Sequence, residues 1–212
     1  MAGPEALITK SGGCRRFIIL FLAAVAFGGC AHVEPAEAPA PSAKQEETTV
    51  SPGNFDQALL AQAIFDQTNL ARAAQGVPPL ARSAALDAAA DQQASWMTAT
   101  LEATHFSPIV GERTAADRLA SVGISGVPYG ENVLRQPLSD PADGSERAWT
   151  YESLAAACVS SWLNSPHHRA TLLYPDYNSL GCAARLGPSI SGGTNVFAVQ
   201  DFIKAKAKKP RS

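Results

Sequence analysis

The sequence predicts an α+β domain, and three observations carry that prediction. Apolar residues recur at helical spacing through most of the region that can fold, while two strand-like segments come late, around a turn-rich tip. No strand–helix rhythm repeats along the 212 residues, which argues against a parallel sheet. Once the two ends are set aside, about 150 residues remain, enough for one domain with one sizeable core.

The elements follow in order. From Phe55 to Gln75, residues Phe55, Leu59 and Ala63 recur at fours and Leu70 continues the stripe. Asn54 is placed to cap this helix and Gly76-Val77-Pro78-Pro79 stops it. Asn69 and Arg72 read as its polar side. A second helix begins after Ser83, with Leu86, Ala90, Ala94 and Met97 on one face. A short third helix fits Thr114 to Ser121 and ends at Gly123. A fourth runs from Ala148 to Leu163, with Leu154, Cys158 and Trp162 aligned and Trp162 expected in the core. After Pro175 the pattern changes to "SLGCAARLG" and "NVFAVQDFI" around "PSISGG", which reads as an antiparallel hairpin.

The ends carry other signals. Lys10, Arg15 and Arg16 precede an apolar run from Phe17 to Phe27, and Gly28-Gly29-Cys30 follows. A basic head, a short apolar stretch and small residues make a secretory signal, and a run this short falls well under the roughly 20 residues that span a bilayer. The ending "FGGC" resembles the lipobox of bacterial lipoproteins, which would make 1–29 the signal and Cys30 the lipidated first residue; ordinary cleavage is the alternative. Residues 31–54 hold four prolines, four glutamates and only two valines as large aliphatics, so 30–54 reads as a disordered tether.

Residues 55–203 contain eight arginines, no lysine and fourteen acids, a formal charge of −6, whereas the tail 204–212 carries five basic residues in nine. An acidic core in an exported chain excludes nucleic acid as the expected partner; a basic tail is suited to solvent or to anionic lipid and wall polymer. Of the four cysteines, Cys14 leaves with the signal and Cys30 carries lipid. Cys158 and Cys182 remain as an even pair in an oxidising compartment and are expected to form a disulfide, with two buried thiols as the alternative.

Half of the four histidines stand side by side in "WLNSPHHRATLL". Ser165 is a suitable N-cap and Pro166 a suitable first helical residue. His167 and His168 then occupy a first turn whose positive end favours neutral imidazole, the form that binds metal or accepts a proton. They should point about 100° apart around the helix.

The ordered series "NLARAAQGVPPL", "HFSPIVGERTAADRLASVG", "YGENV", "SSWLNSPHHRATLLYPDYNSLGC" and "FAVQDF" resembles the CAP superfamily of cysteine-rich secretory, antigen 5 and pathogenesis-related 1 proteins, in its bacterial SCP-like branch. The resemblance covers roughly 55–203 and implies an α-β-α sandwich with a small antiparallel sheet between helices. It also implies a cleft built from His105, Glu131 and His168. The family's second acid would fall near Asn164-Ser165, where there is none, and Glu152 is too far along the chain to replace it. Two imidazoles and a carboxylate make a three-ligand site for a divalent metal, Zn or Ca. His167, Asn132 and Arg169 stand beside the cleft; Asn132 is expected to tie the "GEN" turn and Arg169 to pair with an acid on a neighbouring helix. The stretch 135–148 reads as an inserted loop that leaves from the Glu131 motif, either rimming the cleft or forming a plain surface insertion. Together these readings describe a lipid-anchored envelope protein, the outer membrane favoured. Its expected role is binding a wall, lipid or protein ligand, with a metal-assisted hydrolase as the alternative.

Overall fold

A computed structural model describes residues 49–139, 147–190 and 192–206. The signal segment, Cys30, most of the tether, the end of the basic tail and residues 140–146 of the 135–148 loop lie outside these. The elements are β1 (Thr49–Val50), α1 (Gln57–Ala74), β2 (Ala81–Arg82), α2 (Ala84–Thr100), α3 (Ala115–Ser121), β3 (Tyr129–Pro137), β4 (Trp149–Thr150), α4 (Tyr151–Asn164), α5 (Pro166–Leu172), β5 (Ser179–Pro188) and β6 (Thr194–Ile203).

Four strands form one sheet in the order β2-β5-β6-β3, so the two longest and latest strands lie at its centre. β5 and β6 are the expected hairpin, and β3 pairs antiparallel with β6 along its whole length. Only β2 runs parallel to its neighbour, over two residues. The tether ends earlier than residue 54, because Thr49 and Val50 pair with Thr150 and Trp149.

Strand alternation divides the core in two. Even-numbered residues Leu180, Cys182, Ala184, Val196, Ala198 and Phe202 meet α1 and α4 through Leu60, Ile64, Leu154 and Trp162. Odd-numbered Val133, Ala183, Phe197 and Val199 meet α2 through Ala90, Ala94 and Met97. Helices therefore cover both faces of the sheet, an α-β-α sandwich. Trp162 is fully buried, as expected, and its Nε1 donates to the Val133 carbonyl at 3.1 Å.

Several local expectations are corrected. Asp56, not Asn54, caps α1, accepting from the Ala58 and Leu59 amides, while Asn54 binds Ser51. Asn69 and Arg72 are buried rather than on a polar face. Asn69 exchanges two hydrogen bonds with the Leu80 backbone, and Arg72 donates to the carbonyls of Pro78, Leu172 and Tyr174. Both side chains are used to hold loops, a role that an amphipathic pattern cannot distinguish from solvent exposure. Cys158 and Cys182 are free thiols in one apolar cluster, not a disulfide. Burial pushes the Cys158 thiol up to about 12 and the Cys182 thiol further in the same direction. The third helix matches its sequence reading, with Thr114 and Asp117 forming a reciprocal capping box.

Candidate functional site

The site is organised by β3, a strand where the sequence suggested a turn. Alternation turns Glu131 toward α2 and α3 and Asn132 toward α1 and α5. The Glu131 side chain is only 4% exposed, and its Oε1 lies 2.8 Å from His105 Nδ1. Its Oε2 accepts from Arg118 Nη2 on α3, whose side chain is fully buried and whose Nη1 donates to the Glu112 carbonyl at 3.0 Å. A carboxylate paired with a guanidinium only accepts, so Nδ1 carries the imidazole hydrogen. Nε2 makes no hydrogen bond among the described residues and lies on a ring that is 46% exposed. The loop bearing His105 is pinned on both sides of the turn at Leu101, which is left-handed at φ 62°. Gln93 donates to the Thr104 carbonyl, and Arg135 Nη1 donates to the Leu101 carbonyl at 3.1 Å.

On the opposite face a buried polar chain fixes α5. Thr68 donates to the Ile64 carbonyl and accepts from Gln200 Nε2, both at 2.6 Å. Asn132 Nδ2 then donates to Gln200 Oε1 at 3.2 Å and to the His168 carbonyl at 3.1 Å. Asn132 thus ties two elements together instead of closing its own turn. Ser165 stands at the cap position of α5 but its side chain makes no cap bond; Pro166 opens the helix as expected. His167 is exposed and His168 half-buried, so the two imidazoles diverge. Arg169 donates to the Gln75 amide oxygen at 3.2 Å, not to an acid. Burial, then the nearby charges of His105 and His167, hold His168 below the ordinary histidine pKa. A groove of about 540 Å³ runs beside β3, lined by Glu102, Ala103, Val133, Leu134, Arg135 and His168.

The structure therefore brings His105 and Glu131 into contact and sets His168 in the groove wall. Two further members escaped the sequence reading. Arg118 looked like an ordinary polar residue of a short helix. Asp201 faces Glu131 across the β3–β6 ladder and is 1% exposed. Its signal was available: in Phe197, Val199, Asp201, Ile203 the acid occupies a position whose neighbours at period two are all apolar. Glu152 is remote, accepting from Gln67 on α1.

Glu131 is not free to act as a metal ligand in this arrangement. Both Glu131 oxygens are already engaged, one by an imidazole N–H and one by a buried guanidinium. Arg118 sets a fixed positive charge directly against the Glu131 carboxylate. Among the described residues no three His, Cys, Asp or Glu side chains are grouped to hold a metal ion.

In comparison with known families, residues 65–202 match CAP, the cysteine-rich secretory protein family. The chain belongs to this family. Its CAP domain is 29% identical over 145 residues to an uncharacterised Bacillus subtilis protein, YkwD, covering 68% of this chain and 49% of that one. The chain thus spans about half the length of that relative. The CAP domain also resembles the solved structure of an extracellular SCP-domain protein from Bacillus anthracis, at 25% identity and a TM-score of 0.53, over 74% of this chain and 44% of that chain. An outer surface protein from Borrelia burgdorferi superposes with a TM-score of 0.52 at 18% identity, over 72% of this chain and 97% of that one, and shows the shared fold. Among the described residues no helix is long and apolar enough to cross a membrane.

Proposed function

We propose that this CAP domain is a metal-independent binding module of the bacterial envelope, held by a lipid on Cys30 and taking its ligand in the groove beside β3. The observation that carries this reading is the double engagement of Glu131 by His105 and Arg118. The carboxylate is spent on holding the loop and α3 in place and has no oxygen left for a metal. Exposed apolar side chains add support: Phe106, Ile109 and Val110, in the loop that follows His105, are 67%, 42% and 86% exposed. Large exposed apolar side chains concentrated in one loop mark a contact surface. The extracellular Bacillus anthracis relative supports an envelope location.

A hydrolase reading is favoured by one observation, the free Nε2 of an imidazole oriented by a buried carboxylate, which is half of a base-assisted hydrolytic arrangement. One experiment separates the two. Binding of the full chain to purified sacculi, anionic vesicles and immobilised peptides is measured with and without EDTA, and each mixture is assayed for released product. Saturable binding that EDTA leaves unchanged, with no turnover, is the expected result. Turnover abolished by His105→Ala establishes the hydrolase instead, and binding lost on chelation overturns metal independence. The anchor is tested by Cys30→Ser, which should release the protein from the membrane fraction or leave it unprocessed.

A further inference from the structure

The hydrogen-bonding parity of β3 is fixed at both ends. Leu138 N donates to the Thr194 carbonyl at 2.9 Å, and Lys204 N donates to the Pro128 carbonyl at 3.0 Å. In an antiparallel ladder the bonded pairs recur every second residue, so the even-numbered residues of β3 face β6. The odd-numbered ones, Glu131, Val133 and Arg135, turn their backbone N–H and C=O groups to the open edge. Two facts agree with this assignment. Trp162 reaches the Val133 carbonyl from outside the sheet, and Pro137, which has no N–H, stands at an outward position, where a strand tolerates it.

The two edges of the sheet are treated differently. Beyond β2, the outward amide of Cys182 is capped by Asp87 Oδ1 at 2.8 Å. On β3 the outward carbonyls of Val133 and Pro137 have such caps, from Trp162 and Gln136, while the N–H and C=O of Arg135 have none among the described residues. The edge at Val133–Arg135 instead opens into the 540 Å³ groove, and a second depression of about 350 Å³ continues from Arg135 past Pro137 toward Ile190. Two exposed charges of opposite sign line the first groove. Arg135 donates only to a backbone carbonyl, and neither it nor Glu102 has an ion-pair partner among the described residues.

We infer that the open edge of β3 accepts an extended segment of a protein partner as a fifth strand, antiparallel, paired through the N–H and C=O of Arg135. The segment carries an acidic and a basic side chain, one for each unpaired rim charge. This rests on the binding-module reading and names its ligand class. The outward N–H and C=O of Arg135, with the Val133 N–H two residues back along the same groove, match the backbone of an extended polypeptide.

The test uses the full chain and a displayed library of linear heptapeptides. A selected peptide is labelled and its affinity measured by fluorescence anisotropy. Arg135→Pro deletes one outward N–H at a position where an edge tolerates proline, and should weaken binding about tenfold or more. Arg135→Ala keeps the backbone and should cost only about threefold, with a reduced salt dependence. A peptide methylated at the nitrogen that pairs with Arg135 should fail against wild type, which decides the matter even where Arg135→Pro does not fold. Equal affinity for methylated and unmethylated peptide overturns the proposal, as does a library that enriches nothing over the blocked surface. Binding to sacculi or vesicles with no peptide binding removes the strand-addition proposal and leaves the binding-module reading standing. Turnover abolished by His105→Ala removes the reading beneath it.

Discussion

Asp201 lies directly across the β3–β6 ladder from Glu131, and neither of its buried oxygens meets a hydrogen-bond donor among the described residues. Two carboxyl groups facing each other in a dry interior resist carrying two charges, and the Arg118 guanidinium is paired with Glu131 rather than with Asp201. The hydrogen between them is therefore Asp201's own. Burial first, and the Glu131 charge second, push Asp201 well above the ordinary carboxylate range.

Because the folded chain holds this proton more tightly than the unfolded chain, its contribution is complete below the ordinary carboxylate pKa and is lost as pH rises through the folded value. Asp201→Asn keeps the shape and removes the titration. In urea melts at pH 5 and pH 8, wild type should lose stability relative to Asp201→Asn at the higher pH, by about 1–3 kcal/mol. A difference that shrinks or reverses as pH rises contradicts the shared proton.

His168 behaves in the opposite sense. Its lowered pKa means that the folded state prefers the neutral ring, so its contribution is present above the usual value and lost as pH falls. An NMR titration should give His168 a midpoint below 6.5. His105→Ala should raise that midpoint more than His167→Ala does, since the His105 charge is the larger of the two after burial. No response to His105→Ala would separate the two sides of the groove electrostatically.

Gly181 stands where β5 touches α2. A Cβ there would lie 2.1 Å from the Leu86 carbonyl carbon and 2.3 Å from the Asp87 nitrogen, both backbone atoms that cannot swing away. Gly181→Ala should cost more than about 3 kcal/mol, the upper range for overpacking. At Gly130 the nearest atoms are the Tyr177 hydroxyl at 2.6 Å and a Thr171 methyl at 2.9 Å, which are side chains. Gly130→Ala should cost about 1 kcal/mol. Equal losses in thermal melts would show that the helix yields as easily as the tyrosine.

Cys158 and Cys182 should resist thiol reagents while the domain is folded. Both are buried, and both are pushed far toward the protonated form. Alkylation at pH 8 followed by peptide mapping should label neither in native protein and both in guanidinium. Labelling of either one in the native state would place it nearer the surface than the core packing allows.

Much of this fold is legible in the chain because helix stripes and the late hairpin are local patterns. Leu86, Ala90, Ala94 and Met97 mark α2 from spacing alone, and "NVFAVQDFI" marks β6. β3 was not legible as a strand. It is covered on both faces and carries Glu131 and Asn132 inside, so its polar letters imitate a turn. Arg72 and Arg118 misled for a related reason: a guanidinium that donates to carbonyls or to one carboxylate can be buried whole, and the sequence shows the charge but not its partners. The pairing of His105 with Glu131 was legible through family resemblance. That Arg118 shares Glu131 with His105 was not, since Arg118 lies on a separate helix.

The order of the strands has a consequence for how the chain is made. The two central strands, β5 and β6, are the last elements in sequence, while α1, the first helix, packs against β5. A nascent chain that has emerged only as far as α5 has made every helix, and α1 can meet α4, but the sheet that both must cover is still missing. Short helices without such a surface are marginal in water. The sandwich therefore closes late, when β5 and β6 arrive as far as Ile203 and give the helices on both sides their shared floor.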